Sequence, residues 1–416
     1  MGYCVKGVLQ MKLRLKSLSP FTVFFTLALT VHFVLPLNWG DDKIFNTESS
    51  MALADFLYGS SRILTDTMTY VFSKYHLLWR LINPFVLTLL PFALTRLLNV
   101  TDRKTQYVIC ALSIFPAMVT VDAGFIATTV NYLWPVAFGL TVLLIFQNIA
   151  SGKKSLWHIV GIPLIIYAIN MEQMSAVLTA SLAIGCAYMF FVKKRFNIYP
   201  PVLLMISAFG LIYAYVGNTS QDNSRMLRET ARYFPDFSSL SFFEKLELGF
   251  SSTMYCFTMD VRFAFAAFIA FTVFLAVILF RRSKRPADRA AALFPAISAA
   301  VLTLLNLIKP FEHLKHYRMT KAVYHFSPVA DIFFILVIVC IMYTVAIILK
   351  EKQLVIKAYT VLAAGFASRM IMGFSPTVWA SGYRTFFIVF ISFIVVAIII
   401  LERERTASDG RLVEQK

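Results

Sequence analysis

The hydrophobic residues of this chain fall in runs of roughly 17 to 22 residues from end to end, each long enough to cross a bilayer as a helix. Reading these runs gives about twelve spans: 19–37, 77–98, 106–121, 131–147, 156–170, 173–192, 198–216, 258–280, 287–307, 331–349, 354–368 and 385–401. β-barrel spans would be shorter and would alternate. The expected fold is therefore all-α, a polytopic integral membrane protein in which residues 1–416 form a single membrane domain. The third to sixth runs are short and closely spaced, and a re-entrant hairpin near 120–135 is the alternative there. The first run follows a basic start, is too long for a cleaved signal and is followed by no small-residue cleavage site, so it reads as an uncleaved anchor.

The polar residues gather between the runs. Three segments on one side, 38–76, 217–257 and 308–330, are long enough to fold, and shorter ones lie at 121–131, 170–172 and 369–384. In 38–76 the apolar residues Met51, Ala54, Phe56 and Leu57, then Ile63, Leu64 and Met68, recur at helical spacing. That predicts short amphipathic helices lying in the interface. In 217–257, Asp222, Asn223 or Ser224 is placed to cap a short helix that stops before Pro235. Arg225, Arg228 and Arg232 share one face of it.

Composition supports this reading: 59% of the 416 residues are hydrophobic and 15% charged, far from a soluble domain. The net charge of +17 has a topological explanation. With both termini inside, the inner segments hold 24 cations against 7 acids and the outer ones 15 against 15. Excess cations on inner loops are the positive-inside pattern, and no nucleic acid partner is implied. The five cysteines are scattered, with neither a disulfide framework nor metal-ligand spacing. No phosphate loop or internal repeat stands out. Neither a cofactor nor a metal is expected.

Candidate chemistry sits on the outer segments, where loops carried by a rigid scaffold usually hold function. Asp41 and Asp42 follow the first run directly, and Glu172 lies between two apolar runs with almost no loop. Carboxylates so close to hydrocarbon need water or a cationic partner and are candidates for catalysis. Arg62, Arg225, Arg369 and Arg384 are candidates for phosphate, because the guanidinium fork matches phosphate oxygens. Asn131, Tyr132 and Trp134, in the run Asn131-Tyr132-Leu133-Trp134-Pro135, and Ser375 and Ser381 in the last outer segment are candidates for substrate contact. His313, His316 and His325 with Lys309, Lys315, Arg318 and Lys321 make a basic outer segment suited to headgroups or glycan.

The acidic pair after the first span, the long first outer loop and about a dozen spans resemble the GT-C class of integral membrane glycosyltransferases. The stretches Gly124 to Pro135, Asn170 to Gln173 and Ser368 to Thr385 are also similar to a bacterial membrane family placed near that class. Bacterial and phage glucosyltransferases that decorate O-antigen are similar in size and layout. The resemblance implies a hexosyltransferase of the bacterial cytoplasmic membrane with both termini cytoplasmic. It implies inverting transfer of a sugar, glucose being one candidate, from a polyprenyl-phosphate donor to a lipid-linked acceptor glycan on the outer face. Asp41 or Asp42 would match the family's general base, and outer-loop arginines would stabilise the leaving phosphate without a metal. A polysaccharide polymerase and a lipid-linked glycan flippase are the alternatives. A flippase would show inverted repeats and midplane charges, and neither is visible.

Overall fold

The computed structural model describes residues 18–57, 62–121, 123–153, 157–219, 224–308 and 322–414. Among these the chain is entirely helical. Nine helices are long and apolar enough to cross a membrane: His76–Leu97, Arg103–Val121, Phe125–Ala150, Glu172–Val192, Phe263–Arg282, Pro286–Ile308, Pro328–Leu349, Lys352–Phe374 and Gly382–Ala407. Three shorter apolar helices, Pro20–Val34, His158–Ala168 and Tyr199–Ala214, fall on three of the remaining apolar runs. The protein is membrane-embedded by this measure, and residues such as Val34, Phe191 and Val329 on its flanks stay exposed, as lipid-facing residues do.

Two helix groups build the bundle. In the first, His76–Leu97 packs between Pro20–Val34 and Trp134–Ala150, and Glu172–Ala187 packs on Tyr199–Thr219. In the second, Phe263–Arg282, Pro286–Ile308 and Pro328–Leu349 pack in series, and Lys352–Met370 lies along the last helix. The last span is the centre: 72% of its apolar window is buried, against 22–56% in the other eight. Rings interlock around it, with Phe271 stacked on Phe393 at 4.4 Å and Phe115 edge-on to Phe390 at 5.3 Å.

The helix from Phe125 to Ala150 is long and apolar enough to cross a membrane, and among the described residues near 120–135 it takes the place of the alternative re-entrant hairpin. In 217–257 the helix expected before Pro235 is present as Ser224–Tyr233, and a short turn at Pro235–Ser239 leads into a further helix, Phe242–Thr258. A capping box of Ser241 and Glu244 starts that last helix. Its half from Leu248 to Thr258 is largely buried, with Gly249 against Met370 near the C-terminal end of Lys352–Phe374. Of the short helices predicted in 38–76, Leu53–Phe56 and Ile63–Lys74 are present, and a further one, Asp41–Glu48, precedes them. Of the basic segment 308–330, residues 309–321 lie outside the described residues, His313 and His316 among them.

Candidate functional site

The two neighbouring aspartates have different fates. Residues 39–42 dock on the turn at 121–127. Trp39 Nε1 donates to the Val121 carbonyl at 2.9 Å, and the Asp41 amide donates to the Ala123 carbonyl at 2.8 Å. Asp42, fully buried, then takes three amide hydrogens: Phe125 at 2.6 Å, Ile126 at 3.1 Å and Ala127 at 2.9 Å. It caps the N-terminal end of the Phe125 helix from another segment, where orphan amides and the helix dipole favour an anion. Gly40 (φ 55°) and Gly124 (φ 112°) make this docking possible. A Cβ on Gly124 would stand 2.9 Å from the Asp42 carboxyl, and one on Gly40 would stand 2.8 Å from the Ala123 carbonyl. Burial pushes the Asp42 carboxyl up to about 6, against the three amides, and the Asp41 charge adds to the rise. Both its oxygens are committed and no water reaches it, so Asp42 is corrected from candidate base to structural cap.

Asp41 points the other way, to a cluster drawn from four more segments. It accepts from Arg384 Nη1 at 2.6 Å, with 36% of its side chain exposed. The Arg384 guanidinium lies 5.5 Å from the centroid of the Tyr132 ring, and Arg62 lies 5.9 Å from the same centroid. Arg62 donates to both oxygens of Glu172, from Nε at 3.2 Å and Nη2 at 2.9 Å. Burial works against the Arg62 charge, but Glu172 and Tyr132 outweigh it and hold the guanidinium well above its ordinary range. The order across the site is Asp41, Arg384, Tyr132, Arg62, Glu172. One aromatic ring thus has two guanidiniums within 6 Å of its centroid, each held by a carboxylate from a different part of the chain.

The local sequence explains how these side chains converge. Tyr132 lies in a π-helical turn, Thr129–Leu133, a widened turn that occurs mostly at functional sites. Asn170 Oδ1 accepts the Leu64 amide at 3.1 Å and so fixes the start of Ile63–Lys74, next to Arg62. Gln173, buried beside Glu172, donates to the carbonyls of Ser368 and Thr385 at 2.9 and 3.0 Å. One amide thereby ties three segments of the site together.

Of the other sequence candidates, Ser381 touches this cluster, its carbonyl accepting from Arg384 Nε at 2.9 Å. Asn131 is buried and donates to Thr69 Oγ1 and the Ala127 carbonyl at 3.0 and 2.9 Å. Trp134 is buried and donates to Asn83 Oδ1 at 2.6 Å. Both side chains are buried in the bundle, and Asn131 Oδ1 has no hydrogen-bond partner among the described residues. Ser375 and Ser381 both bond to Thr377 Oγ1 at 2.9 Å and brace their own turn. Arg369 is 1% exposed, donates from Nη2 to the Val378 carbonyl at 3.1 Å and lies 4.8 Å from the Phe386 ring centroid. Its Nε and Nη1 have no partner among the described residues. Arg225 sits at the start of helix Ser224–Tyr233, and its side chain lies outside the described residues.

Sequence reasoning passed over several residues that hold the site. Gln173 and Asn170 gave no signal beyond their nearness to Glu172. Asp260 receives the Tyr383 hydroxyl and both arms of Arg262 at 3.1 and 3.2 Å, which pins the residue next to Arg384. Beneath the site, His32, Asn83 and Trp134 form one hydrogen-bonded chain, with 2.7 Å between His32 Nε2 and Asn83 Nδ2. Among the described residues no group of three His, Cys, Asp or Glu side chains is placed to hold a metal ion. Comparison of the chain with family models, curated proteins and solved structures gives no match.

Proposed function

We propose that the protein is a glycosyltransferase of the bacterial cytoplasmic membrane, with about twelve spans of GT-C-like layout, both termini cytoplasmic and its site facing outward. In this reading it transfers a sugar from a polyprenyl-phosphate donor to a lipid-linked glycan such as O-antigen. One observation carries the reading: Asp41, Arg384, Tyr132, Arg62 and Glu172 converge from distant segments at one end of the bundle. A half-exposed carboxylate next to two guanidiniums matches what inverting transfer from a lipid phosphate needs. Asp41 takes the proton of the acceptor hydroxyl, the oxygen forms its bond to the anomeric carbon, and the bond from that carbon to the phosphate oxygen breaks. The electron pair leaves with the lipid phosphate, whose charge Arg384 and Arg62 offset.

Asp41 is the base of this reading rather than Glu172. Glu172 has both oxygens on Arg62. Asp41 accepts through Oδ2 alone, so its other oxygen is left for a hydroxyl. The test is transfer by purified protein from a panel of labelled polyprenyl-phosphate sugars to native lipid-linked glycan. Product with inverted configuration supports the reading. Movement of lipid-linked glycan across a bilayer with no glycosidic bond made would replace it with a flippase.

A further inference from the structure

The far ends of Trp134–Ala150 and Glu172–Ala187 carry a second feature, independent of the outer site. Beyond Ala187 the helix widens into a π turn, Tyr188–Val192, and the chain then reverses through Lys194, which has a φ of 49°. Two hollows flank this reversal. One, of about 260 Å³, is walled by Met189, Phe190, Phe191, Phe196, Pro200 and Pro201. The other, of about 380 Å³, is lined by Gln147, Ser151, Tyr188, Lys193 and Arg195. Arg195 borders both hollows. Its backbone is tied to the Met189 carbonyl at 3.1 Å, and its Nη1 reaches across to Gly152, 3.4 Å from where a Cβ there would stand.

An apolar hollow and a cationic one, joined at a shared arginine, have the division of a lipid into chain and headgroup. Lys153, Lys193, Lys194 and Arg195 are all exposed here. Between residues 143 and 200 the sequence holds one acid, Glu172, which is committed to Arg62 at the other end of its helix. The cations therefore have no acid from their own segments. Phe191 and Phe196 are 73% and 77% exposed beside them, as in side chains that enter the acyl boundary while cations stay at headgroup level. We infer that this paired hollow binds one anionic phospholipid, its phosphate on Lys193 and Arg195 and an acyl chain against Phe190 and Phe196.

The test uses the full chain purified in a zwitterionic detergent. Retention of phosphatidylglycerol is compared with that of phosphatidylcholine of the same acyl chains by mass spectrometry of the intact protein. The expected result is one phosphatidylglycerol retained in preference to phosphatidylcholine. Lys193→Gln with Arg195→Gln should cut that preference about thirtyfold, from about fivefold for each cation removed. Both residues are exposed, so the double variant should melt with the wild type. Equal retention of the two lipids by the wild type would overturn the inference without any variant. A preference untouched by the double variant would overturn the site. Displacement of the lipid by inorganic phosphate alone would reduce it to a simple anion site. A dimer that forms as lipid is stripped and disperses when both residues are changed would assign the hollow to a second copy.

Discussion

At one end of the bundle, Arg282 and Arg403 both donate to the Ile348 carbonyl, Arg282 pairs with Glu404, and Arg405 bridges Asp102 and Glu402. At the other, Arg62 and Arg384 lean on one tyrosine ring, each held by a carboxylate. The first group ends on a carbonyl at the C-terminal end of Pro328–Leu349, on the N-cap Asp102 and on two glutamates of the last helix, which is how arginine ties helices together. The second ends on Asp41 and Glu172, the first residues of two helices distant in the chain. Its guanidiniums share one ring, and its five residues come from five stretches of chain. The difference teaches that cation content does not distinguish structural from chemical arginines. What distinguishes them is whether the guanidiniums meet on one shared ring, with partners from distant stretches of chain.

Asp41→Asn is the sharpest break of this comparison. Asn keeps the shape and still accepts from Arg384, but it cannot take a proton. Transfer should fall by roughly a hundred- to ten-thousand-fold, with the melting curve in detergent unchanged. Near-normal transfer by this variant would remove Asp41 as base. A transfer assay and a melt on the same preparation suffice.

Arg384→Ala comes next, with an expected loss in turnover of about a hundredfold, the scale seen when one charge-stabilising donor is removed. Arg384→Lys should recover only part of it, because an ammonium lacks the fork that serves Asp41 and a phosphate together. Arg403→Ala at the opposite end should leave turnover alone. Equal losses in the two alanine variants would mean that both ends act through stability.

The helical membrane class was legible because an apolar run reports span length directly. The partition of cations between loops predicts a topology. Arg62 and Glu172 were both singled out, yet nothing in the sequence pairs residues 110 positions apart. Tyr132 was noticed as part of an aromatic run, whereas its closeness to two arginines is met in a π turn that has no composition signature. The acidic pair misled by adjacency: successive residues at a helix start point in different directions, so Asp41 meets Arg384 while Asp42 meets the amides of residues 125–127. Only the two glycines that permit the docking hinted at this.

Asp42 tests that contrast through stability. Asp42→Ala strands three buried amides and should cost about 1–3 kcal/mol, read as a lowered melting temperature. The pH dependence has a definite sign. The folded carboxyl titrates at about 6, above its ordinary value of 3.8, so the folded state binds the proton more tightly. Its contribution to stability is full below about pH 3.8 and is lost as pH rises through about 6, a swing of about 3 kcal/mol. Asp42→Asn should flatten that part of the profile. Asp41→Asn should leave most of it.

The smallest effect belongs to the scaffold end. Arg405 is 40% exposed and reaches Asp102 at 3.3 Å and Glu402 at 3.0 Å. Exposed pairs of this kind contribute less than about 1 kcal/mol, and salt screens them. Arg405→Gln should therefore shift the melting temperature slightly at low salt, not at all in high salt, and leave transfer unchanged. Arg62→Gln supplies the matched control at the other end. It breaks an ion pair of similar length, 2.9 Å, but leaves Glu172 beside Tyr132 without its cation, so transfer should drop at every salt concentration. If the two glutamine variants behave alike in both assays, partner geometry does not separate structural from chemical arginines, and the outer cluster is a second helix tie.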